Sequence, residues 1–188
     1  GAGSLVLQQD SYYVNHPDMT FEERSRLNYD EPGIFDHDAL YEDVCSLLSG
    51  QPVRRKAYDF TLHARCDTDE LLYPADVLIL EGIHAFYDRR LLDKMFLRLY
   101  VSVDPDICLL RRIQRDINDR GRNIDNIAQQ YLETVKPMYD KYIRNYIHEA
   151  DVVVVGLAHA GSAAVRAAAE AGARGIGIEE KKEKTYSV

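Results

Sequence analysis

Hydrophobic and polar positions follow two alternating patterns along the first 155 residues of the chain. Short apolar runs, typical of strands in a sheet with helices on its faces, occupy residues 5–9, 76–80, 97–103 and 151–155. Helical patterns lie between them, over residues 21–28, 105–119 and 124–147, with a further helix between Asp36 and Gly50. This alternation predicts an α/β fold with a mainly parallel sheet flanked by helices.

Several residues mark where these helices begin and end. Thr20 and Glu23 form a capping-box sequence before the first helix, and Asp36 is placed to cap the second. Gly50 is expected to end that second helix, and Pro137 to kink or divide the helix over residues 124–147. One face of the second helix carries an apolar stripe that predicts core packing, formed by Leu40, Val44, Leu47 and Leu48.

The composition narrows the function classes. With 188 residues, 46% hydrophobic and 29% charged, the chain is expected to fold as one soluble domain without a membrane span or export signal. A net charge of −8 argues against nucleic acid as a partner. Cys45, Cys66 and Cys108 have no metal-ligand spacing, which predicts free thiols and a cytoplasmic location.

A cluster of arginines stands out in this acidic chain. It runs from a predicted helix into a loop and consists of Arg111, Arg112, Arg115, Arg120 and Arg122. Such a cluster suits phosphate recognition, and Gly121 would let the loop close over a ligand. From the residues alone, a solvated helix end whose arginines pair with Asp116 and Asp119 is the favoured interpretation.

Two carboxylates follow predicted strands. Asp10 comes directly after the first strand and Glu81 directly after the strand over residues 76–80. Parallel strands would bring both to one edge of the sheet, where they could share a divalent cation or divide base and metal roles. Each alone also fits a capping or turn residue. Together with the arginines they describe a phosphoryl-transfer site.

Aromatic and polar residues are mixed in two loop-like segments, residues 28–32 and 58–65. Such side chains can sandwich a planar base and hydrogen-bond its edge, but aromatics on a half-buried hairpin pack in the same way without a ligand. The residues alone leave both interpretations open.

These segments, in this order and spacing, resemble the uridine-cytidine kinases of the P-loop kinase superfamily. The matching strings are QQDSYY at 8–13, NYDEPGIFD at 28–36, YDFTLHAR at 58–65, PADVLILEGIHAFY at 74–87, RRIQRDINDRGR at 111–122, QQYLETVKPMYDKYI at 129–143 and EADVVVV at 149–155. The resemblance implies a P-loop NTPase, nucleoside-kinase type of fold.

The resemblance also implies a phosphoryl-transfer function. A kinase of this type moves the γ-phosphate of ATP or GTP to the 5′-hydroxyl of uridine or cytidine in pyrimidine salvage, with Mg²⁺ as cofactor. Asp10 matches the residue that accepts the hydroxyl proton and, with Glu81, is associated with the metal. Arg115 and Arg120 match arginines on the transferred phosphate. A homo-oligomer, a tetramer in the family, is the implied assembly.

The implied sugar site lies on several segments. Asp30 and Arg112 match the pair that holds the ribose 2′ and 3′ hydroxyls, with Arg122 and Gln130 nearby, and Tyr13 matches a residue beside the sugar. A site that hydrogen-bonds a diol leaves polar groups unpaired when a deoxyribose enters, so ribonucleosides should be preferred.

The implied base site is a single-ring pocket. Tyr58 and His63 match the residues that read the pyrimidine edge, and Tyr29 and Phe60 match its aromatic walls. A pocket of this size should exclude purines.

The sequence departs from the family in two places. Residues 1–155 read as the kinase-like domain without its first strand, and no GxxxxGK[ST] phosphate loop occurs among the 188 residues. Residues 156–188 form an atypical Ala/Gly-rich segment, expected to pack on the same domain with a helix over 162–171 and a strand over 175–178.

Residues 156–163 have GxxxxG spacing, with Ser162 and Ala163 in the positions of the missing lysine and hydroxyl residue. This loop is either a modified phosphate loop or a plain strand–loop–helix connection, and we expect residues 175–178 or 184–188 to fill the empty central position of the sheet. The alternative to an active kinase is a catalytically impaired or engineered nucleoside-binding variant of the fold.

Overall fold

The computed structural model describes residues 3–155. The strands are β1 (Ser4–Gln8), β2 (Val53–Arg54), β3 (Tyr58–Asp59), β4 (Ala64–Arg65), β5 (Leu71–Leu72), β6 (Val77–Glu81), β7 (Leu99–Ser102) and β8 (Val152–Val155). The α-helices are α1 (Phe21–Ser25), α2 (His37–Leu48), α3 (Arg89–Leu92), α4 (Pro105–Asn118), α5 (Ile124–Gln130) and α6 (Lys136–Lys141). Short 3₁₀ segments cover Gln9–Tyr12, Pro32–Ile34 and Ile143–Glu149, and a π-helical turn covers Tyr131–Val135.

The longer strands pair in parallel, as the apolar runs predict. β1 pairs with β6 from Ser4 opposite Val77 to Gln8 opposite Glu81, and β7 pairs with β8. The short strands form antiparallel pairs, β2 with β5 and β3 with β4. The α/β class is thus confirmed, with parallel strand pairs whose carboxyl ends carry the candidate carboxylates.

Helix α2 supplies much of the core. The Asp36 carboxylate accepts a hydrogen bond from the Ala39 N–H at 3.0 Å, so the predicted cap is confirmed. The buried core cluster consists of Leu7, Tyr12, Leu40, Val44, Leu47, Val53 and Leu91. The prediction for Leu48 is wrong: its side chain is 57% exposed. At 100° per residue, Leu48 lies about 80° around the helix from Leu40 and so points away from that face.

Helix α1 begins as the sequence predicts but is shorter. The capping box is complete, since the Glu23 N–H donates to the Thr20 hydroxyl and the Thr20 N–H donates to the Glu23 carboxylate. The helix ends at Ser25 rather than at residue 28. The Asn28 side chain accepts a hydrogen bond from the Asp30 N–H at 3.0 Å, which favours a turn over a further helical residue.

The predicted helix over residues 124–147 is divided into four pieces. α5 ends at Gln130, the π-helical turn follows, α6 ends at Lys141, and the last piece is a 3₁₀ segment. Pro137 explains the first interruption, because it has no N–H to donate to the Glu133 carbonyl and its ring crowds that carbonyl. Pro137 instead occupies the first turn of α6, where a missing N–H is tolerated.

The predictions for residues 156–188, including the GxxxxG loop, the Ala-rich helix and the strand that would complete the sheet, lie outside the described residues. Across residues 3–155, no helix combines the length and the apolar character that crossing a membrane requires.

Candidate active site

The ends of β1 and β6 bring the two candidate carboxylates together. Gln8 pairs with Glu81 in the parallel ladder, and Asp10 follows two residues later in a 3₁₀ turn. The buried Gln9 side chain crosses to the other strand, where its Oε1 accepts the His84 N–H at 2.9 Å. Solvent reaches Asp10, yet the protein packed around it desolvates the carboxylate and raises its pKa, and the Glu81 charge raises that pKa further.

The charges of two arginines act on the same carboxylate. Arg120 and Arg115 lower the pKa of Asp10, against the larger effects of desolvation and Glu81. The Arg120 guanidinium also lies over the Phe60 ring, 5.1 Å from its centre. Gly121 follows in the left-handed region with φ of 63°, a conformation that glycine adopts without steric cost. The arginine loop therefore turns back toward the strand ends.

A second group of polar side chains lies beside this pair. Arg112 Nη1 is 3.8 Å from Oδ1 of the buried Asp30 carboxylate. Gln130 Oε1 accepts hydrogen bonds from Arg122 Nη1 at 2.6 Å and from Arg112 Nη2 at 3.4 Å. Asp30 also raises the pKa of Asp10, so the two groups are electrostatically one site.

Three elements fix the position of Asp30. The Asp30 carbonyl lies 2.8 Å from Nε2 of the buried His84, whose Nδ1 lies 2.8 Å from the Tyr146 hydroxyl. A carbonyl only accepts, so Nε2 carries the proton and the Tyr146 hydroxyl donates to Nδ1. Burial lowers the pKa of His84, which agrees with this neutral form. The Thr134 hydroxyl, from the π-helical turn, lies 3.1 Å from Asp30 Oδ2.

The candidate base-binding residues form one aromatic cluster. The Tyr13 ring lies 4.8 Å from Tyr58 and 5.3 Å from Tyr29, and Phe60 lies 5.4 Å from Tyr58. The Tyr58 hydroxyl donates to the Tyr29 hydroxyl at 3.1 Å. Phe35 stacks on Tyr13 at 4.5 Å and backs the cluster.

His63 has the most unusual backbone of the cluster. Its φ is 48°, in the left-handed region that costs a non-glycine residue about 1 kcal/mol or more. The imidazole stacks on Tyr29 with ring centres 4.8 Å apart, and its pKa is lowered, by burial first and then by Arg122 and other arginines. The neutral ring has one N–H donor and one nitrogen acceptor, the pair of groups needed to read a base edge.

The structure brings together the candidate site residues in one continuous set of contacts and charges, whereas Arg111 of the arginine cluster lies outside it, beside Cys108. The set consists of Asp10, Tyr13, Tyr29, Asp30, Tyr58, Phe60, His63, Glu81, Arg112, Arg115, Arg120, Arg122 and Gln130. Phe35, His84 and Thr134 carry no signal in the sequence, yet they support the set through contacts between distant segments. Asp116 was expected only to pair with the arginines.

A metal site built by the protein alone is not present in residues 3–155, where no group of three or more His, Cys, Asp or Glu side chains converges. The charge of Glu81 raises the pKa of Asp10, so the two carboxylates act on one another at the strand ends. A pair of this kind fits Mg²⁺, which takes one or two carboxylates from a protein and its other oxygens from phosphates and water.

Comparisons with known proteins agree with this geometry. Residues 5–160 match the model of the phosphoribulokinase / uridine kinase family. Uridine kinase of Bacillus subtilis (strain 168) is 42% identical over 154 residues, which are 82% of this chain and 73% of that protein. Uridine kinase of Latilactobacillus sakei subsp. sakei (strain 23K) is 46% identical over 150 residues, 80% of this chain and 71% of that protein.

Solved structures share the fold at low sequence identity. A structure from Silicibacter sp. TM1040, described as that of a fructose transport system kinase, superposes with a TM-score of 0.62 at 18% identity, covering 82% of this chain and 75% of its own. The YGR205w protein superposes with a TM-score of 0.53 at 16% identity, covering 82% and 73%. With the family match extending over most of its length, the chain belongs to the phosphoribulokinase / uridine kinase family.

Proposed function

We propose that this protein is a pyrimidine ribonucleoside kinase, which transfers the γ-phosphoryl group of ATP or GTP to the 5′-hydroxyl of uridine or cytidine in pyrimidine salvage. The observation that carries the proposal is the setting of Asp10. Its carboxylate follows the end of β1, where Gln8 pairs with Glu81, and its pKa is raised by burial and by the Glu81 charge and lowered by the charges of Arg120 and Arg115. Base, cation partner and phosphate-neutralising charges therefore meet at one point.

Asp10 acts as the general base. Its carboxylate takes the proton of the 5′-hydroxyl, the hydroxyl oxygen bonds to the γ-phosphorus, and the bond from that phosphorus to the β,γ-bridging oxygen breaks to release the nucleoside diphosphate. A base is most effective when its pKa approaches the working pH, so the raised pKa of Asp10 favours this role. Arg115 and Arg120 neutralise charge on the phosphoryl group during transfer.

The nucleoside is held by the remaining residues. Asp30 and Arg112 bind the ribose hydroxyls, with Gln130 oriented by its hydrogen bonds to Arg112 and Arg122. Because Asp30 is buried, a deoxyribose would leave its carboxylate without part of its hydrogen bonding, which predicts a preference for ribose.

The base is held by the aromatic cluster. Tyr29 and Phe60 contact the faces of the pyrimidine, Tyr58 and His63 read its edge, and Tyr13 contacts the sugar. These side chains lie together in one aromatic cluster, with ring centres 4.8–5.4 Å apart, which supports a common site for a planar base.

Mg²⁺ would be held by Asp10 and Glu81. When bound, it supplies positive charge that offsets the charge of the donor phosphates. The same charge would favour the ionised form of Asp10 against the repulsion from Glu81.

A second candidate function is nucleoside binding without turnover. The observation that favours it is the nucleoside side of the site, where the aromatic cluster and the Asp30–Arg112 pair can hold a nucleoside without any contact to donor phosphates. Calorimetry distinguishes the two functions: a binding protein takes up uridine and does not bind ATP, whereas the kinase binds both.

The direct test is a coupled assay of nucleoside diphosphate formation with uridine, ATP and Mg²⁺. The kinase proposal expects uridine-dependent turnover that falls by about 100-fold or more in Asp10→Asn, the range general-base catalysis contributes. Asp18→Asn, which removes an exposed carboxylate outside the site, is the matched control. Equal rates in the wild type and Asp10→Asn would refute the proposal, since the turnover would then not depend on this site.

We extend the proposal to a cytoplasmic homo-oligomer, a tetramer as in the family. Cys45, Cys66 and Cys108 are free thiols, which supports a reducing compartment. Light scattering behind size-exclusion chromatography tests the assembly, and the mass of one chain, 21.5 kDa, would contradict it.

A further inference from the structure

Asp116 is a fully buried carboxylate at the centre of the arginine cluster. Its Oδ1 lies 2.9 Å from both Nε and Nη2 of Arg115 and 3.3 Å from Nη1 of Arg120. Its Oδ2 lies 3.7 Å from Nε of Arg112 and 3.8 Å from Nη1 of Arg122. One negative charge thus serves four guanidiniums, and the cluster keeps an excess of positive charge.

The helical spacing creates this arrangement. Arg112, Asp116 and Arg120 are four residues apart, so their side chains follow one another along the same side of α4 and its continuation. The left-handed turn at Gly121 then reverses the chain, and the Arg122 N–H donates to the Asp116 carbonyl at 3.0 Å. Both the backbone and the side chain of Asp116 therefore hold the arginine loop.

Without a central carboxylate these arginines would repel one another. Burial lowers the pKa of Arg120, and the charges of Arg115, Arg122 and Arg112 lower it further, whereas Asp116 raises it. Removing the Asp116 charge leaves only repulsion inside the cluster, so the guanidiniums are expected to move apart toward solvent.

The arginines that surround Asp116 also interact with the carboxylates of the candidate active site. Arg112 extends to the Asp30 carboxylate, and Arg120 extends toward Asp10, whose pKa it lowers. Asp116 itself has no exposed side-chain surface and cannot touch a substrate.

We propose that Asp116 is the positioning residue of the phosphate site: it fixes the guanidiniums of Arg115 and Arg120 where they bind the phosphoryl group on the nucleoside 5′ oxygen. This inference rests on the proposed function. Its consequence is a site that binds a nucleoside 5′-monophosphate more tightly than the nucleoside, by an amount that depends on the Asp116 charge.

Calorimetry on the purified protein tests this with two ligands, uridine and uridine 5′-monophosphate. The ratio of the two Kd values measures phosphate recognition separately from recognition of the nucleoside. Asp116→Asn, which keeps the shape and removes the charge, is expected to reduce that ratio at least tenfold. Asp119→Asn removes the same charge from an exposed residue at the end of α4 and should leave the ratio within twofold of the wild type.

A general loss of structure would weaken both ligands together and leave the ratio unchanged, and that result overturns the inference. If Asp116→Asn shows no thermal unfolding transition, the second variant is Asp116→Glu, which keeps the charge but displaces it. An unchanged ratio of the two Kd values in Asp116→Glu would also overturn the inference. A coupling test adds to this: in an Arg115→Ala background, Asp116→Asn should reduce the ratio less than it does in the wild type.

The outcome for the wild type separates the two proposals. A wild-type protein that binds neither ligand refutes the proposed function itself. One that binds uridine without preferring the monophosphate overturns only the role of Asp116, because the nucleoside binding on which the proposed function depends is then intact.

Discussion

Substitution of Gly82 by alanine tests the close contact between the ends of β1 and β6. A Cβ on Gly82 would lie 2.5 Å from Gln9 Cβ and 2.5 Å from Gln9 Oε1. Neither atom can move freely, because Gln9 is buried and its Oε1 accepts the His84 N–H. The substitution therefore requires a shift of the backbone at one strand end.

Overpacking of this kind costs about 1–3 kcal/mol of the free energy of unfolding. For a chain of this length, 1 kcal/mol corresponds to roughly 2–4 °C in Tm, so Gly82→Ala should lower Tm by about 2–12 °C. Because Gln9 precedes Asp10 and Gly82 follows Glu81, the same shift should also weaken uridine phosphorylation.

Thermal unfolding followed by circular dichroism measures the effect. Gly33→Ala is the matched control, since nothing lies within 4 Å of a Cβ at that position. That control should change stability by less than about 1 kcal/mol, in the stabilising direction. If Gly82→Ala unfolds at the same temperature as Gly33→Ala, the close approach of the two strand ends is refuted.

Three further predictions concern the site. The pKa of Asp10, measured by carbon-13 carboxyl titration, should lie above the ordinary aspartate value and should fall in Glu81→Gln. The proposed base activity should then be lost as the pH falls through this raised pKa. An unchanged Asp10 titration in Glu81→Gln contradicts the prediction. His63→Asn should weaken uridine binding about tenfold without lowering Tm, because asparagine tolerates the left-handed backbone but cannot stack on Tyr29; a large fall in Tm would be contrary evidence. Tyr58→Phe removes one hydrogen bond and should lower the free energy of unfolding by about 1 kcal/mol in urea denaturation; an unchanged midpoint would show that this bond adds nothing.

The sequence predicts those parts of the fold that depend on local patterns. The apolar run that ends at Glu81 gives a parallel strand, and the capping residues Thr20 and Asp36 begin helices where expected. Because parallel strands end at a common edge, the proximity of Asp10 and Glu81 also follows from the pattern alone.

The sequence does not predict features that depend on contacts between distant segments. Nothing in the spacing of His84 or Thr134 indicates that both reach Asp30, which lies 54 and 104 residues away along the chain. The π-helical turn that carries Thr134 could not be predicted either, since Pro137 indicates that the helix is interrupted but not that the interruption is a π-helical turn. Asp116 was visible through its helical spacing from the arginines, but its complete burial was not.

Asp30 shows what this arrangement means for redesign of the protein. Its carbonyl is held from the β6 side by His84, and its carboxylate is approached by Thr134 and Arg112 from two other elements. A single substitution at Asp30 keeps the backbone carbonyl that accepts from His84, but it would leave Thr134 and Arg112, from separate parts of the chain, facing an emptied carboxylate position. Changing the proposed ribose specificity should therefore need coordinated changes at Asp30, Thr134 and Arg112, and libraries that vary residue 30 alone should return few folded, active variants.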